Sequence, residues 1–312
     1  MSTETPDIES GRSTASRSGR EQLYRGIFLT CGILSVLTTV GIIVALLSDA
    51  VAFWSAVPIT DFLLGTEWSP DIGGTYGVLP LVSGTLIITF GSALISLPIG
   101  VLTAIYLSEY ASDRVRSILK PTLEILAGVP TVVYGFFALV YITPLLEGAF
   151  PTISTFNALS ASIVVGIMII PMVSSISEDA MSSVPDSLRE ASYGLGATKF
   201  EVSTTVVVPA AVSGIVSSFI LALSRAIGET MAVTIAAGAK SRLVNPLDPG
   251  AAFLDSVETM TAAMINIGKS DVDPGSTTYK SLFAIGLTLF AITFAMNVVS
   301  NLVAQRYREE YE

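Results

Sequence analysis

Six long apolar runs, separated by polar segments, dominate this 312-residue chain. They cover residues 26–47, 82–107, 119–146, 158–176, 209–239 and 281–303. An α-helix rises about 1.5 Å per residue, so about 20 apolar residues are enough to cross the hydrocarbon core of a bilayer. The first run also exceeds the apolar core of a signal peptide, which is about 7 to 15 residues. The pattern therefore predicts an all-α membrane protein with six transmembrane helices.

Two of the runs contain features that interrupt a straight helix. The third run contains Pro121, Pro130 and Pro144, together with Gly128 and Gly135. Such residues kink membrane helices and let neighbouring helices approach closely. The fifth run has about 30 residues, roughly 45 Å as a helix, which is more than the bilayer core needs. We expect the fifth helix to tilt, bend or protrude.

The Lys and Arg residues between the runs predict how the chain is oriented. The polar segments after the second, fourth and sixth runs contain basic residues, whereas those after the first and third contain none. Because basic loops stay on the cytoplasmic side, we predict a multi-pass protein of the cell membrane with both termini in the cytoplasm. Residues 1–22 lack apolar periodicity and are predicted to form a disordered cytoplasmic tail. Residues 23–81 would then form the first helix and an external loop.

One external segment departs from this bias. Residues 240–280 contain four Lys or Arg residues among a larger number of acids, and long loops follow the rule less strictly. The middle of the segment, residues 251–267, has apolar spacing compatible with a helix. Two alternatives are an interfacial helix and a return into the mouth of a pore.

Composition excludes several classes of function. Charged residues make up 13% of the chain and hydrophobic residues 51%, compared with about 25% charged in soluble domains. The net charge of −10 argues against nucleic acid as a partner. The chain has no histidine and one cysteine, Cys31, which excludes disulfides, thiol metal sites and histidine acid–base chemistry. We predict no metal and no cofactor.

A polar segment between the fourth and fifth runs, residues 184–209, is unlike the other loops. Its pattern predicts two short helices separated by a glycine break at Gly194 and Gly196. Its apolar residues give the segment a face that needs a partner, since helices this short are marginal alone. These residues are Leu188, Ala191, Leu195, Phe200 and Val202. We call residues 184–209 the elbow.

The fifth run also contains two charges, Arg225 and Glu229. Their i, i+4 spacing would place both on one helical face within pairing distance, and charges in a membrane must face protein or water. A guanidinium matches a tetrahedral oxyanion bidentately, and Glu229 would hold Arg225 when no anion is present. The alternative is a purely structural ion pair. Hydroxyls near Arg225 that could donate to an anion belong to Ser224, Thr230 and Thr234, although such hydroxyls often bond their own backbone.

Three further acids have less specific signals. Glu124 lies near the start of the third run, where it would snorkel or pair with Lys120 at i−4, with a gate role as the weaker alternative. Glu178 and Asp179 are adjacent, so on a helix they diverge by about 100°. A solvated helix end is the prediction for that pair.

The elbow resembles the EAA loop of ATP-binding cassette importer permeases. The resemblance is carried by Glu190, Ala191 and Ser192, then Gly196, then Val206, Val208 and Pro209, whose spacing agrees at every step; Ser192, Val206 and Val208 are conservative departures from the family pattern. Two further runs, LAGVPTVVYGF at 126–136 and RAIGETMAVT at 225–234, resemble the C-type (PstC-type) permeases of phosphate importers.

The resemblance implies a fold and a set of partners. Residues 82–308 would form a type I importer permease domain that provides half of a phosphate pathway and carries out no bond-breaking reaction itself. The partners would be a dimer of ATP-binding cassette subunits, an A-type (PstA-like) sister permease, an extracytoplasmic phosphate-binding protein and membrane lipid. The residues implied in coupling to the ATPase are Glu190, Ala191, Leu195, Gly196 and Pro209. Arg225 and Glu229 are implied in phosphate passage, and Ser224 and Thr230 lie beside them.

Several alternatives stay open from the sequence. The cargo could be another oxyanion such as sulfate or molybdate, or the chain could be the A-type sister subunit. A secondary transporter or channel would place coupling-ion groups on several spans, and a membrane scaffold for a sensor kinase would leave the EAA spacing unexplained.

Overall fold

The computed structural model describes residues 14–70, 73–245 and 248–306, which are almost entirely helical. The elements of the first half are α1 (Thr14–Trp54), α2 (Ile59–Leu64), β1 (Trp68–Ser69), β2 (Thr75–Tyr76), α3 (Leu79–Ile105), α4 (Asp113–Ala127), α5 (Thr131–Phe137) and α6 (Thr143–Glu147). Those of the second half are α7 (Ala158–Ser182), α8 (Asp186–Gly194), α9 (Lys199–Val202), α10 (Val208–Ala210), α11 (Val212–Ile227), α12 (Met231–Ala236), α13 (Pro249–Leu254), α14 (Met260–Lys269) and α15 (Thr277–Arg306). Short π-helical turns follow α3, α5 and α9, at Tyr106–Tyr110, Ala138–Ile142 and Ser203–Val207.

Among these residues, four helices are long and apolar enough to cross a membrane, or six if each of two bent pairs is one span. The first helix starts earlier than the sequence predicts. It begins at Thr14, so residues 14–22 are helical rather than disordered, while residues 1–13 lie outside the described residues. The physical reason is that adding a residue to an existing helix is far easier than starting one, and Arg and Glu are good helix formers.

The centre of the bundle is the parallel pair α3 and α7, with α11 packed against both. Small residues let the backbones of the pair approach closely, as in other membrane helix pairs. A Cβ atom on Gly100 would lie 2.6 Å from Cβ and Cγ1 of Val173, and one on Gly91 would lie 2.5 Å from Oγ of Ser162. The largest core cluster, which includes Ile88, contains residues of both helices.

The third apolar run is not one kinked helix. α4 and the helix from Thr131 to Glu147 meet at 88°. The break falls at Gly128–Pro130, because Pro130 has no N–H to donate and disfavours a helical residue before it. The hydroxyl of Tyr134 donates to the carbonyl of Leu126 across the bend, at 2.8 Å.

The fifth run bends and breaks, as its excess length requires. The segments Lys199–Ala210 and Val212–Ile227 meet at 69°. After Ile227, the chain leaves the helix at Gly228–Thr230 and resumes as the short α12. The run therefore does not form one helix to residue 239.

The two ends of the bundle differ in character. The elbow lies at the end where α3 and α7 finish, and we call this the elbow end. At the opposite end, which we call the hairpin end, β1 and β2 pair antiparallel. There α14 buries Met260, Ala263 and Ile267 in a cluster with Phe53 and Phe62. The middle of segment 240–280 is thus packed into the protein, which favours a return into the mouth of the bundle over a helix on its surface.

Gly100→Ala should destabilise the protein, whereas Gly32→Ala should not. The new methyl group on α3 would meet the stiff side chain of Val173, and overpacking of this kind costs about 1–3 kcal/mol. Gly32 lies on α1, and no heavy atom is within 4 Å of the position that a Cβ atom would take there, so the same change only improves helix propensity. Thermal unfolding of the two variants in detergent measures the difference. Equal midpoints would contradict the close α3–α7 contact.

Candidate functional site

The elbow folds as two short helices joined by a left-handed glycine. α8 ends at Gly194, and Gly196 has φ of +85°, a conformation that side-chain-bearing residues rarely adopt. α9 then begins with a capping box, in which the side chains of Thr198 and Glu201 each accept the other's backbone N–H. The predicted helix–glycine–helix arrangement is confirmed.

Arg189 forms polar contacts between the elbow and the bundle, in addition to the buried apolar contacts of Val202. Arg189 on α8 donates to the Glu109 carboxylate at 3.2 Å and to the carbonyl of Met181 at 2.8 Å, and it also pairs with Asp186 at 3.1 Å. Its side chain is largely buried, as is that of Glu109. The elbow is therefore fixed to the ends of both α3 and α7. In the sequence, Arg189 is one of the basic residues in the segment after the fourth run, and no local pattern links it to Glu109, which is 80 positions away.

The elbow presents part of its predicted apolar face to the outside. Leu195 is 91% exposed and Phe200 is 68% exposed. The other residues that the resemblance implies in coupling are exposed as well, namely Glu190, Ala191, Gly196 and Pro209. Val202 is different, because it is fully buried in a cluster of the protein's own residues, against which Leu188 packs. The sequence therefore assigned too many residues to the partner-seeking face.

A cavity of about 370 Å³ lies between α4, α7 and α11, and we call it the Arg225 cavity. Its walls are mostly apolar, including Leu123, Met168, Met172 and Ile176. Four charged side chains line it: Lys120, Glu124, Glu178 and Arg225. Cations and carboxylates from three helices that are separate in sequence thus meet in one place.

The predicted pairing of Arg225 with Glu229 is wrong. α11 ends at Ile227, and Gly228 breaks the helix between the two charges. Arg225 is exposed in the cavity wall, and it forms no ion pair with any residue that the structure describes. Because glycine is a poor helix former, the helix ends at Gly228, and the i, i+4 spacing of the two charges does not bring them onto one helical face.

Glu229 instead accepts a hydrogen bond from the backbone of α12, the helix that follows the break. It is 7% exposed, and its carboxylate accepts the N–H of Ala232 at 3.2 Å, at the start of α12. Its carbonyl accepts the hydroxyl of Thr261 at 2.8 Å. The break is therefore bonded to the first turn of α14, which comes from segment 240–280.

The hydroxyls predicted beside Arg225 behave differently from one another. Thr230 donates to the carbonyl of Gly228 at 3.1 Å, and Thr234 donates to that of Thr230 at 2.7 Å, so both bond local backbone. The Ser224 oxygen is buried and finds no hydrogen-bond partner among the described residues.

Glu178 is the centre of an ion cluster that the sequence did not predict. Its side chain is 1% exposed. The carboxylate forms ion pairs with the Arg116 guanidinium and with the Lys120 ammonium, the latter at 2.8 Å, and it accepts a hydrogen bond from the Ser182 hydroxyl at 3.2 Å. Only Asp179 fits the predicted solvated helix end, with a side chain that is 66% exposed. The adjacent acids do diverge, but one of them points at α4.

The same cluster corrects the assignment of Glu124. Lys120 pairs with Glu178 and Asp179 across helices rather than with Glu124 along its own helix. Glu124 lines the Arg225 cavity instead. A partner on a packed helix had no signal in the local spacing.

A second ion cluster ties down segment 240–280 at the hairpin end. The Asp255 carboxylate pairs with Lys240 and with Arg242, each at 3.0 Å, and accepts the Ser154 hydroxyl at 3.0 Å. Burial alone would raise the pKa of Asp255. The hydrogen bonds from Lys240, the Ser256 N–H and Ser154, with the charge of Arg242, lower this pKa below the usual aspartate range.

Comparison with known proteins identifies the family. Residues 96–309 match the family described as binding-protein-dependent transport system inner membrane component. The chain belongs to this family. Its members are transport subunits rather than enzymes, and this permease has the apolar helices of a multi-pass membrane protein.

The permease also resembles curated proteins along almost its whole length. It is 33% identical to a probable ABC transporter permease protein, YqgH, of Bacillus subtilis, covering 95% of this chain and 96% of the relative. It is 33% identical to the phosphate transport system permease protein PstC of Xylella fastidiosa, covering 93% and 92%. For PstC of Haemophilus influenzae the identity is 32%, covering 90% and 92%.

Solved structures show the same fold at low identity. One is a chain of a bacterial alginate ABC transporter, solved in complex with a periplasmic protein bound to an alginate pentasaccharide. It aligns with a TM-score of 0.65 and 15% identity, covering 94% of the permease and 97% of that chain. A chain of the inward-facing MetNI methionine ABC transporter aligns with a TM-score of 0.53 and 16% identity, over 75% and 95%. The permease therefore has the importer fold implied by its EAA loop.

Glu178→Ala should destabilise the permease far more than Asp179→Ala. Removing the buried carboxylate leaves Arg116 and Lys120 without their shared partner, and the loss of one member of such a cluster costs about 2–4 kcal/mol. Asp179 is exposed, and surface pairs contribute about 0–1 kcal/mol. Thermal unfolding of the two neighbours in detergent checks this, and equal effects would mean that the cluster contributes nothing.

Asp255→Asn should lower stability at neutral pH and leave it unchanged at strongly acidic pH. A carboxylate with a lowered pKa stabilises the folded state above the ordinary aspartate pKa of about 3.9, and this contribution is lost as the pH falls through the lower pKa of the folded state. Melting temperatures of both proteins from pH 7 to pH 3 should therefore converge on the acid side. Asp61→Asn is the control, because Asp61 is exposed and its carboxylate accepts only the Thr60 hydroxyl, at 3.3 Å, among the residues that the structure describes. A pH-independent difference would contradict the role of the ion pairs.

Proposed function

We propose that the chain is a membrane subunit of an ATP-driven importer for inorganic phosphate and forms half of the translocation pathway. The observation that carries this proposal is the position of Arg225, a guanidinium without an ion-pair partner among the described residues, on the wall of a cavity inside the helix bundle. A guanidinium binds a phosphate group through two parallel hydrogen bonds. The names of the PstC relatives, which align over more than 90% of the chain, support phosphate as the anion.

The elbow is the proposed attachment point for the ATPase. Leu195 and Phe200 are large apolar side chains at the elbow end, where Glu190 and Gly196 are exposed as well. Exposed apolar groups in such a patch are typical of an interface. The elbow end is then cytoplasmic, as are both termini. Through Arg189, movement of a docked ATPase would reach α3 and α7 together.

Two further partners complete the complex that we propose. An A-type sister permease provides the other half of the pathway, and an extracytoplasmic phosphate-binding protein delivers the anion at the hairpin end. ATP binding draws two ATPase subunits together, and the attached elbows reorient the helices so that the pathway opens to the outer face. The alginate transporter structure contains a periplasmic protein bound to an alginate pentasaccharide, in agreement with this kind of assembly.

Arg225→Gln should abolish phosphate uptake without preventing assembly of the complex. The substitution removes a charge that faces the cavity, and one charge-assisted bidentate contact is worth about a hundredfold in rate or affinity. Uptake of labelled phosphate into proteoliposomes measures the loss, and Arg114→Gln, which removes an exposed arginine charge outside the cavity, is the control. Uptake at the wild-type rate would exclude Arg225 from the pathway. Competition by sulfate and molybdate in the same assay tests the anion.

Leu195→Ser should weaken copurification of the ATPase, whereas Leu64→Ser should not. Both leucines are highly exposed, at 91% and 71%, but Leu64 lies at the hairpin end. Loss of a central apolar contact in an interface costs about 1–3 kcal/mol, roughly a tenfold or greater loss of affinity. A double change of Glu190→Ala and Gly196→Ala should abolish the interaction, since alanine is strained at the φ of Gly196. Undiminished copurification would show that the elbow is not the attachment point.

A further inference from the structure

We propose that a small tetrahedral oxyanion is held in the Arg225 cavity between Arg225 and Lys120, and that Lys120 leaves Glu178 to bind it. The inference rests on the proposed function and deepens it, because it adds a second cation on another helix to the route of the anion. Lys120 comes from α4 and Arg225 from α11, and both line the same cavity of about 370 Å³.

Lys120 can leave Glu178 without stranding the buried carboxylate. Glu178 is held by Arg116 and by the Ser182 hydroxyl as well. Its charge therefore stays compensated when the ammonium turns away. The Lys120 side chain is 35% exposed, and an ammonium on a four-carbon stem reorients easily.

The cavity suits a tetrahedral oxyanion in size and in the polarity of its walls. Its volume of about 370 Å³ is about twelve times the share of one water molecule in the liquid, which is about 30 Å³. Apolar walls such as Leu123 and Met172 lower the local dielectric and strengthen contacts between charges. Arg225 forms no ion pair with any described residue, so an anion there does not have to displace a carboxylate from it.

If the Glu178 ion cluster had a purely structural role, the two cations of α4 would be expected to behave alike. Arg116 and Lys120 both pair with Glu178, but only Lys120 lines the cavity. If the cluster served only to join α4 to α7, the loss of either cation would have similar consequences. If Lys120 binds an anion, only its loss will change the electrostatic potential and anion binding inside the cavity. Arg116→Gln is thus the matched control for Lys120→Gln.

A cysteine in the cavity wall reports both properties in the assembled complex. Ser175 lines the cavity, and Cys31→Ser removes the native thiol. In this background, Ser175→Cys is modified with an anionic sulfonate and with a cationic trimethylammonium thiol reagent. The ratio of the two rates measures the local potential. Inorganic phosphate, sulfate, or chloride at equal ionic strength is then added to test protection.

We expect phosphate to protect the thiol and chloride not to. Lys120→Gln should abolish this protection and lower the anion-to-cation rate ratio about fivefold, as expected for one unit charge across several ångströms of partly screened solvent. Arg116→Gln should change both far less. Glu178→Gln should raise the ratio above that of the starting protein, because it removes a negative charge from the cavity wall and releases Lys120.

The proposal is overturned if Lys120→Gln and Arg116→Gln have the same effect, or if neither phosphate nor sulfate protects better than chloride. The cationic reagent shows in each variant that the cavity still forms and is reached. Because the readout is thiol modification rather than uptake, it separates the two proposals. Protection by sulfate but not phosphate would retain the oxyanion site and reject the cargo, whereas uptake of phosphate without protection would reject only the site.

Discussion

A polar or charged group inside an apolar helix bundle must find a partner in the protein or reach water, and this constraint shapes the whole structure. Glu178, buried at the end of α7, is reached by cations from α4. Glu229, buried at the break after α11, bonds the backbone of α12. Arg225 opens into a cavity instead. The bends and breaks of the helices are tolerated because neighbouring groups satisfy the polar atoms that they expose.

The elements were predictable where the signal is local. Apolar run lengths indicated the long helices, and the Gly196 position with its flanking helical patterns indicated the elbow. Residues such as Leu195 and Phe200 were expected at an exposed face and lie there. Each of these features depends on the identity of residues within a few positions of one another, which is the information that periodicity and turn chemistry contain.

What could not be predicted depends on contacts between distant segments. Lys120 has an acid at i+4, yet it selects Glu178 on another helix. Local spacing also favoured a pair between Arg225 and Glu229, but the glycine between them ended the helix. Val202 looked like part of an interface because nothing in the elbow itself shows that α3 and α7 cover it. Tertiary packing overrides local preference at all of these positions.

The attachment of the elbow has a mechanical consequence. Arg189 bonds Glu109 after α3 and the backbone of Met181 on α7, so one side chain grips both central helices where they end. A force applied to a segment held only by flexible linkers would be absorbed in bending those linkers. Because these bonds join the elbow to both helices, and α3 and α7 are in close contact through Gly100, a displacement of the elbow would move the two helices together. If the pair turned as one rigid body about a point near the elbow, the distant helix ends would travel the farthest.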